Sequence, residues 1–130
     1  MGITTNFDLS ASTGSDISYG TLAAYKYVRG DTGPRMQISL NDQLTGFPRD
    51  ITGAQALLHL RPVGGRVILT RELYINEDTA LNGEAIVIWE EGDLDVAPGN
   101  YECEIEVIFP GGLRETLFDI IILQIRADFA

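Results

Sequence analysis

Tyr101-Glu102-Cys103-Glu104-Ile105-Glu106-Val107-Ile108-Phe109 decides the fold. Tyr101, Cys103, Ile105, Val107 and Phe109 fall on one side of an extended chain, and Glu102, Glu104 and Glu106 on the other. A helix would scatter these residues around its circumference, whereas a half-buried strand collects them into an apolar and an acidic face. Working upstream, Arg35 to Asn41 alternates in the same way, with Met36, Ile38 and Leu40 sharing a face. Gly53 to Arg61 follows, with Ala54, Ala56, Leu58 and Leu60 facing together. Pro62-Val63-Gly64-Gly65-Arg66 reads as a hairpin turn, because paired glycines supply the positive φ of tight turns, and Val67 to Tyr74 as the returning strand. Glu84 to Trp89 is a further strand. Downstream, Pro110-Gly111-Gly112 turns the chain into a last strand, Leu113 to Ile125. Its apolar residues fall on both faces, which places it centrally in a sheet or under a partner. About seven short strands without a long helix predict an all-β sandwich or barrel over residues 25–130.

Residues 1–24 differ in character. Polar runs such as Ser10-Ala11-Ser12-Thr13-Gly14-Ser15-Asp16 surround isolated apolar residues, Ile3, Phe7, Leu9, Ile17 and Leu22. A stretch of this kind buries too little surface by itself to offset its ordering entropy. It is expected to be a flexible arm, either frayed or laid onto a neighbouring subunit with those five side chains as contacts.

The bulk numbers exclude several functions. The chain has 130 residues, 45% hydrophobic and 22% charged, enough for one core. Its 19 acidic and 9 basic residues leave a net charge of −10, which repels nucleic acid and acidic membrane surfaces. Cys103 is the one cysteine, so no intrachain disulfide can form. The N-terminus lacks the basic and apolar regions of a secretory signal, and no apolar run approaches membrane-spanning length, so a soluble protein is expected.

The segment Asp93-Leu94-Asp95-Val96-Ala97-Pro98-Gly99-Asn100-Tyr101-Glu102-Cys103 carries more specific information. A tyrosine at a strand start, after a glycine turn and two residues before an inward cysteine, matches the tyrosine corner of Greek-key sandwiches. Tyr101, Gly99, Asp95, Cys103 and the preceding Trp89 are therefore assigned structural roles, with Trp89 in the nearby core. Signs of catalysis and metal binding are weak. His59 is the single histidine and falls on the less apolar face of its strand. No nucleophile elbow, phosphate loop or dinucleotide fingerprint occurs. Glu102, Glu104, Glu106 and the cluster Glu90, Glu91, Asp93 and Asp95 do not follow a calcium-loop pattern. They read as a solvated face partly paired with Arg114 or another base. Arg29-Gly30-Asp31 spells an adhesion tripeptide but lies within a turn. The expectation is a non-enzyme without cofactor or metal.

Four motifs carry a resemblance. Tyr27-Val28-Arg29-Gly30-Asp31-Thr32-Gly33-Pro34 leading into Met36 to Leu40 is one. Asp50-Ile51-Thr52-Gly53-Ala54, Arg61-Pro62-Val63-Gly64-Gly65 and Gly99-Asn100-Tyr101-Glu102-Cys103-Glu104-Ile105 are the others. Together they resemble, over about residues 27–126, the BppU-type N-terminal domain of tailed-phage baseplate upper proteins. The expectation departs from the family pattern in one respect, that the helical or receptor-linking continuation of a full baseplate upper protein is lacking. The resemblance implies an immunoglobulin-like antiparallel sandwich serving as a non-enzymatic virion component. Such a protein is assembled in the host cytoplasm, docks on other virion structural proteins of the tail, baseplate or capsid, and forms a homo-oligomer by virion symmetry. Three alternatives accompany it. One is a capsid cement or decoration protein. Another is a carbohydrate-binding host-recognition module using Tyr19, Tyr25, Tyr27 or Tyr74. The third is an acidic-site hydrolase.

Overall fold

The computed structural model describes residues 3–9, 24–33, 35–42, 44–117 and 120–129. They form nine strands: β1 (Ile3–Leu9), β2 (Ala24–Val28), β3 (Met36–Asp42), β4 (Gln55–Pro62), β5 (Leu69–Glu72), β6 (Glu84–Val87), β7 (Gly99–Ile108), β8 (Arg114–Thr116) and β9 (Ile121–Arg126). A single 3-10 turn, Ala80–Asn82, precedes β6. One sheet has the order β1-β3-β6, and the other β2-β9-β7-β4-β5, with β8 also on β7. Buried side chains from both sheets join in one core cluster, so the protein is an immunoglobulin-like β-sandwich.

The strands form where alternation predicts them. Met36, Ile38 and Leu40 of β3, Ala56, Leu58 and Leu60 of β4, and Cys103, Ile105 and Val107 of β7 are all buried. Their sequence neighbours face outward, because successive side chains of a strand point to opposite sides. β7 is the centre of the larger sheet. It pairs antiparallel with β4 from Gln55↔Ile108 to Pro62↔Tyr101, and on its other side with β9 and β8.

Several expectations are corrected. The final strand is broken: Glu106 faces Thr116 but Cys103 faces Ile121, so three steps along β7 match five along its partner. β9 lies between β2 and β7, and this central position accounts for apolar residues of both parities there. The sandwich is not wholly antiparallel, because β2 runs parallel to β9, from Ala24↔Ile122 to Val28↔Arg126. The boundary at residue 24 also moves. Ile3–Leu9 pairs antiparallel with β3 from Ile3↔Asp42 to Leu9↔Met36, so its backbone gains an ordered ladder rather than extending as an arm. Ile3, Phe7 and Leu9 lie on this strand, whereas Ile17 and Leu22 lie outside the described residues.

One side of the sandwich is closed by backbone. After β5, Leu73 N–H still bonds to Ala56, and Tyr74 then exchanges two hydrogen bonds with Ile86, at 2.8 and 2.9 Å, beside β6. The chain thus passes from one sheet edge to the other, leaving fewer unpaired edge groups.

Gly83 fixes the approach of the 3-10 turn to β3. Its φ is 72°, and an added Cβ would lie 2.2 Å from the Leu40 carbonyl oxygen and 2.9 Å from that of Arg49. Both obstacles are backbone, and the Gly83 carbonyl itself accepts from Leu40 N–H. Gly83→Ala is expected to cost roughly 3 kcal/mol or more in urea unfolding, from combined strain and clash.

Candidate interaction surface

Three regions carry chemistry-bearing residues: the crossover ahead of β7, the outer face of the larger sheet, and the loop end of the sandwich. The crossover is a structural lock. Tyr101 is buried, and its hydroxyl donates to the carbonyl of Ala97 at 2.5 Å, pinning the chain four residues upstream. Trp89 is buried and meets Tyr27 edge-on, with ring centroids 5.9 Å apart. Burial pushes the Tyr27 phenol above its ordinary pKa, and the nearby Trp89 indole offsets this only in part. Neither the Tyr27 hydroxyl nor the indole nitrogen completes a hydrogen bond of good geometry among the described residues. Cys103 is fully buried, and burial drives its thiol pKa far upward, so it acts as a small apolar core residue. Gly99 opens β7 opposite Ile125.

The acidic member of the lock is Asp93 rather than Asp95. Asp93 is buried and takes Arg71 as a two-pronged partner, Nε at 2.9 Å and Nη2 at 2.6 Å. It also accepts the Glu90 N–H at 2.8 Å. The hydrogen bond to Asp93 is the largest effect raising the Arg71 pKa, so this guanidinium stays charged. Asp95 is exposed and pairs instead with Arg29 at 2.9 Å. That contact ties the crossover to the Arg29-Gly30-Asp31 turn, where Gly30 N–H also bonds to Leu94. With Asp31 N–H bonded to the Val28 carbonyl as well, the tripeptide is part of a turn held at three points.

On the outer face, β4, β5 and β7 align a polar row. His59 Nδ1 lies 2.9 Å from Thr70 Oγ1, and Nε2 lies 3.2 Å from Glu106 Oε1. Arg114 reaches the other Glu106 oxygen at 3.2 Å, and Arg61 pairs with Glu102 at 3.0 Å. The sequence placed these glutamates on one face but missed the row, because Thr70 meets His59 only through the β4–β5 register. A hydroxyl, an imidazole and a carboxylate in line are parts of a proton relay, but acyl or glycosyl transfer also needs a concave site with preorganised donors. The cavity beside His59 is about 60 Å³, bordered by His59, Arg61, Val67, Glu102, Cys103, Glu104 and Ile120. It is large enough for water, but small-molecule sites generally start near ~300 Å³. Among the described residues no group of three His, Cys, Asp or Glu side chains is disposed to hold a metal ion. Tyr25 and Tyr27 are buried, so neither offers a ring to a sugar. Tyr74 is exposed on the closed side, and Tyr19 lies outside the described residues.

At the loop end the picture changes. Leu44 and Phe47 in the β3–β4 loop, Leu81 in the 3-10 turn and Leu113 in the β7–β8 hairpin are 60–76% exposed. Backbone bonds hold these loops together: Arg49 N–H to Leu40, and Ile51 N–H to Ala80. Arg49 spans them, bonding Glu115 at 2.8 Å and stacking 4.8 Å from the centre of the Phe109 ring. The Asp42 carboxylate accepts the N–H groups of Leu44 and Thr45 at 2.8 and 3.1 Å. These two bonds are the main cause of its lowered pKa, and nearby Arg49 adds to the effect.

No protein-family model and no curated protein matches the chain. Among solved structures, CopC from Methylosinus trichosporium OB3b is similar at 11% identity and a TM-score of 0.48, covering 83% of this chain and 89% of that one. The Bacteroides ovatus mixed-linkage glucan utilization locus protein SGBP-B, solved with a mixed-linkage heptasaccharide, is similar at 15% identity and a TM-score of 0.33. That likeness covers 96% of this chain and 26% of that one. Neither bears on what this chain binds.

Two outcomes test the geometry. Tyr101→Phe keeps the ring and removes the donor to Ala97, so denaturant unfolding should show a loss of about 1–2 kcal/mol with an unchanged fold. For Asp42, a carboxyl-carbon NMR titration should give a midpoint below the ordinary aspartate value of 3.8. Because the folded pKa is depressed, the stability this carboxylate confers is present above the unfolded pKa. It disappears as pH falls through the folded value. Asp42→Asn should therefore flatten the acid-side dependence of stability below about pH 4.

Proposed function

We propose that the chain is a non-enzymatic structural component of a tailed-phage virion, docking on tail, baseplate or capsid subunits in several copies. The observation that carries the reading is the loop end. Four large apolar side chains stand exposed there on loops that hydrogen bonds and ion pairs hold in place. Large apolar groups displayed on held loops are a feature of protein–protein contacts, since burying each contributes about 1.5–3 kcal/mol. The motifs of the baseplate-domain resemblance add support. The Gly30 turn leads toward β3, Thr52-Gly53-Ala54 leads into β4, Pro62 to Gly65 turns toward β5, and Gly99 to Ile105 lies within β7. Edge strand β1 offers a second contact through strand addition.

Mass spectrometry of particles purified from the phage that encodes the chain should find it at a stoichiometric level. Its absence overturns the proposal. The double substitution Leu44→Ser, Phe47→Ser should leave the unfolding midpoint nearly unchanged but reduce copies per particle roughly tenfold. Full incorporation of that variant would remove the loop end from the docking surface.

A further inference from the structure

The chain is strongly acidic, yet one groove on it is lined by bases. The groove, about 450 Å³, lies where β2, β9 and β7 run side by side, and is bordered by Lys26, Val28, Gly99, Asn100, Gln124 and Arg126, among others. The register explains the grouping. Lys26 lies beside Gln124, Gln124 beside Asn100, and Val28 beside Arg126, so one cation and two amides form a row across three strands, with a second cation next to it. Five other bases are matched to carboxylates: Arg29 to Asp95, Arg49 to Glu115, Arg61 to Glu102, Arg71 to Asp93 and Arg114 to Glu106. Arg126 instead donates to the Ala127 carbonyl and stacks on Phe129. The groove also adjoins a sheet edge, because β2 ends the strand order and, among the described residues, has no strand on its other side.

From this we infer that the β2 edge and its groove bind an extended acidic segment of a partner protein. The segment adds as a strand beside β2, and its carboxylates meet Lys26 and Arg126. Strand addition supplies backbone hydrogen bonds, and side chains alternating along the added strand reach the groove at every second position. Gln124 and Asn100 lie further in, on β9 and β7, and line the groove that side chains of the added strand enter. The net charge of −10 restricts the occupant further. An acidic peptide is repelled from most of this surface and held only where the cations stand, so the charge pattern confers register as well as attraction. The inference names the partner chemistry of the docking function proposed above and rests on that reading.

The test is a titration of the ¹⁵N-labelled full chain with a blocked peptide of alternating Glu and Val, alongside Gln/Val and Lys/Val controls. The expected result is amide shifts concentrated on residues 24–28, 99–100 and 124–126 with the Glu/Val peptide alone. The charge reversals Lys26→Glu, Arg126→Glu should raise Kd by about tenfold or more. The milder pair Lys26→Gln, Arg126→Gln should give a smaller rise in the same direction, and Leu44→Ser, Phe47→Ser should leave Kd unchanged. Equal binding of the Gln/Val peptide, or shifts located elsewhere, overturns the inference. Tighter binding of an oligogalacturonate at the same residues overturns it in favour of an acidic glycan. Particle incorporation separates the two levels. A wild-type chain that ignores the peptide but enters particles refutes the groove and leaves docking standing, whereas one that binds the peptide but is absent from particles refutes the virion reading.

Discussion

The ladder between β4 and β7 is the constraint from which the rest of the structure follows. It runs without a break from Gln55↔Ile108 to Pro62↔Tyr101 and brings two strictly alternating strands face to face. A slip of one residue would turn Tyr101, Cys103, Ile105 and Val107 to solvent and send Glu102, Glu104 and Glu106 into the core. Burying a single unpaired carboxylate costs more than any one apolar contact restores, so the acidic face selects the register as firmly as the apolar face does. Once β7 is oriented, β9 and β8 must pair on its free edge.

The crossover from β6 to β7 has to deliver Tyr101 to the correct end of that ladder, and two polar contacts do so. The phenol of Tyr101 bonds to Ala97, and Asp93 grips Arg71 from β5 with two hydrogen bonds. A largely enclosed ion pair adds little net stability over an apolar pair of the same shape, since desolvation offsets the Coulomb gain. Its contribution here is geometric. An aspartate displaced by one residue would leave both charges unmatched, so the contact penalises alternative paths of the loop.

Local alternation was legible wherever a strand has one buried face, and β3, β4 and β7 stand where their apolar parity put them. Features that depend on distant partners were not. Ile3–Leu9 is polar enough to read as an arm, and only the ladder with β3 makes it a strand. Nothing in Ala24–Val28 signals a parallel neighbour from the far end of the chain. The tyrosine corner was visible because its elements are adjacent in sequence, but the choice between Asp93 and Asp95 was not. That choice depends on where Arg71 arrives from another strand. The Thr70–His59–Glu106 row and the Lys26–Gln124–Asn100 row have the same origin, each being assembled from three strands by register.

The distribution of paired and unpaired groups decides which surfaces favour association. On the outer face of β4 and β7, Arg61 and Arg114 already hold Glu102 and Glu106, and His59 shares the latter. A partner covering this face would strip water from matched charges and gain little in return. At the loop end the balance is reversed, because Leu44, Phe47, Leu81 and Leu113 lose only unfavourable hydration when covered. Along β2, among the described residues, a strand edge lies beside Lys26 and Arg126, which rewards an occupant carrying both backbone and carboxylates. A net charge of −10 opposes association over most of the surface and leaves it to these limited places, where apolar area or opposite charge outweighs the repulsion.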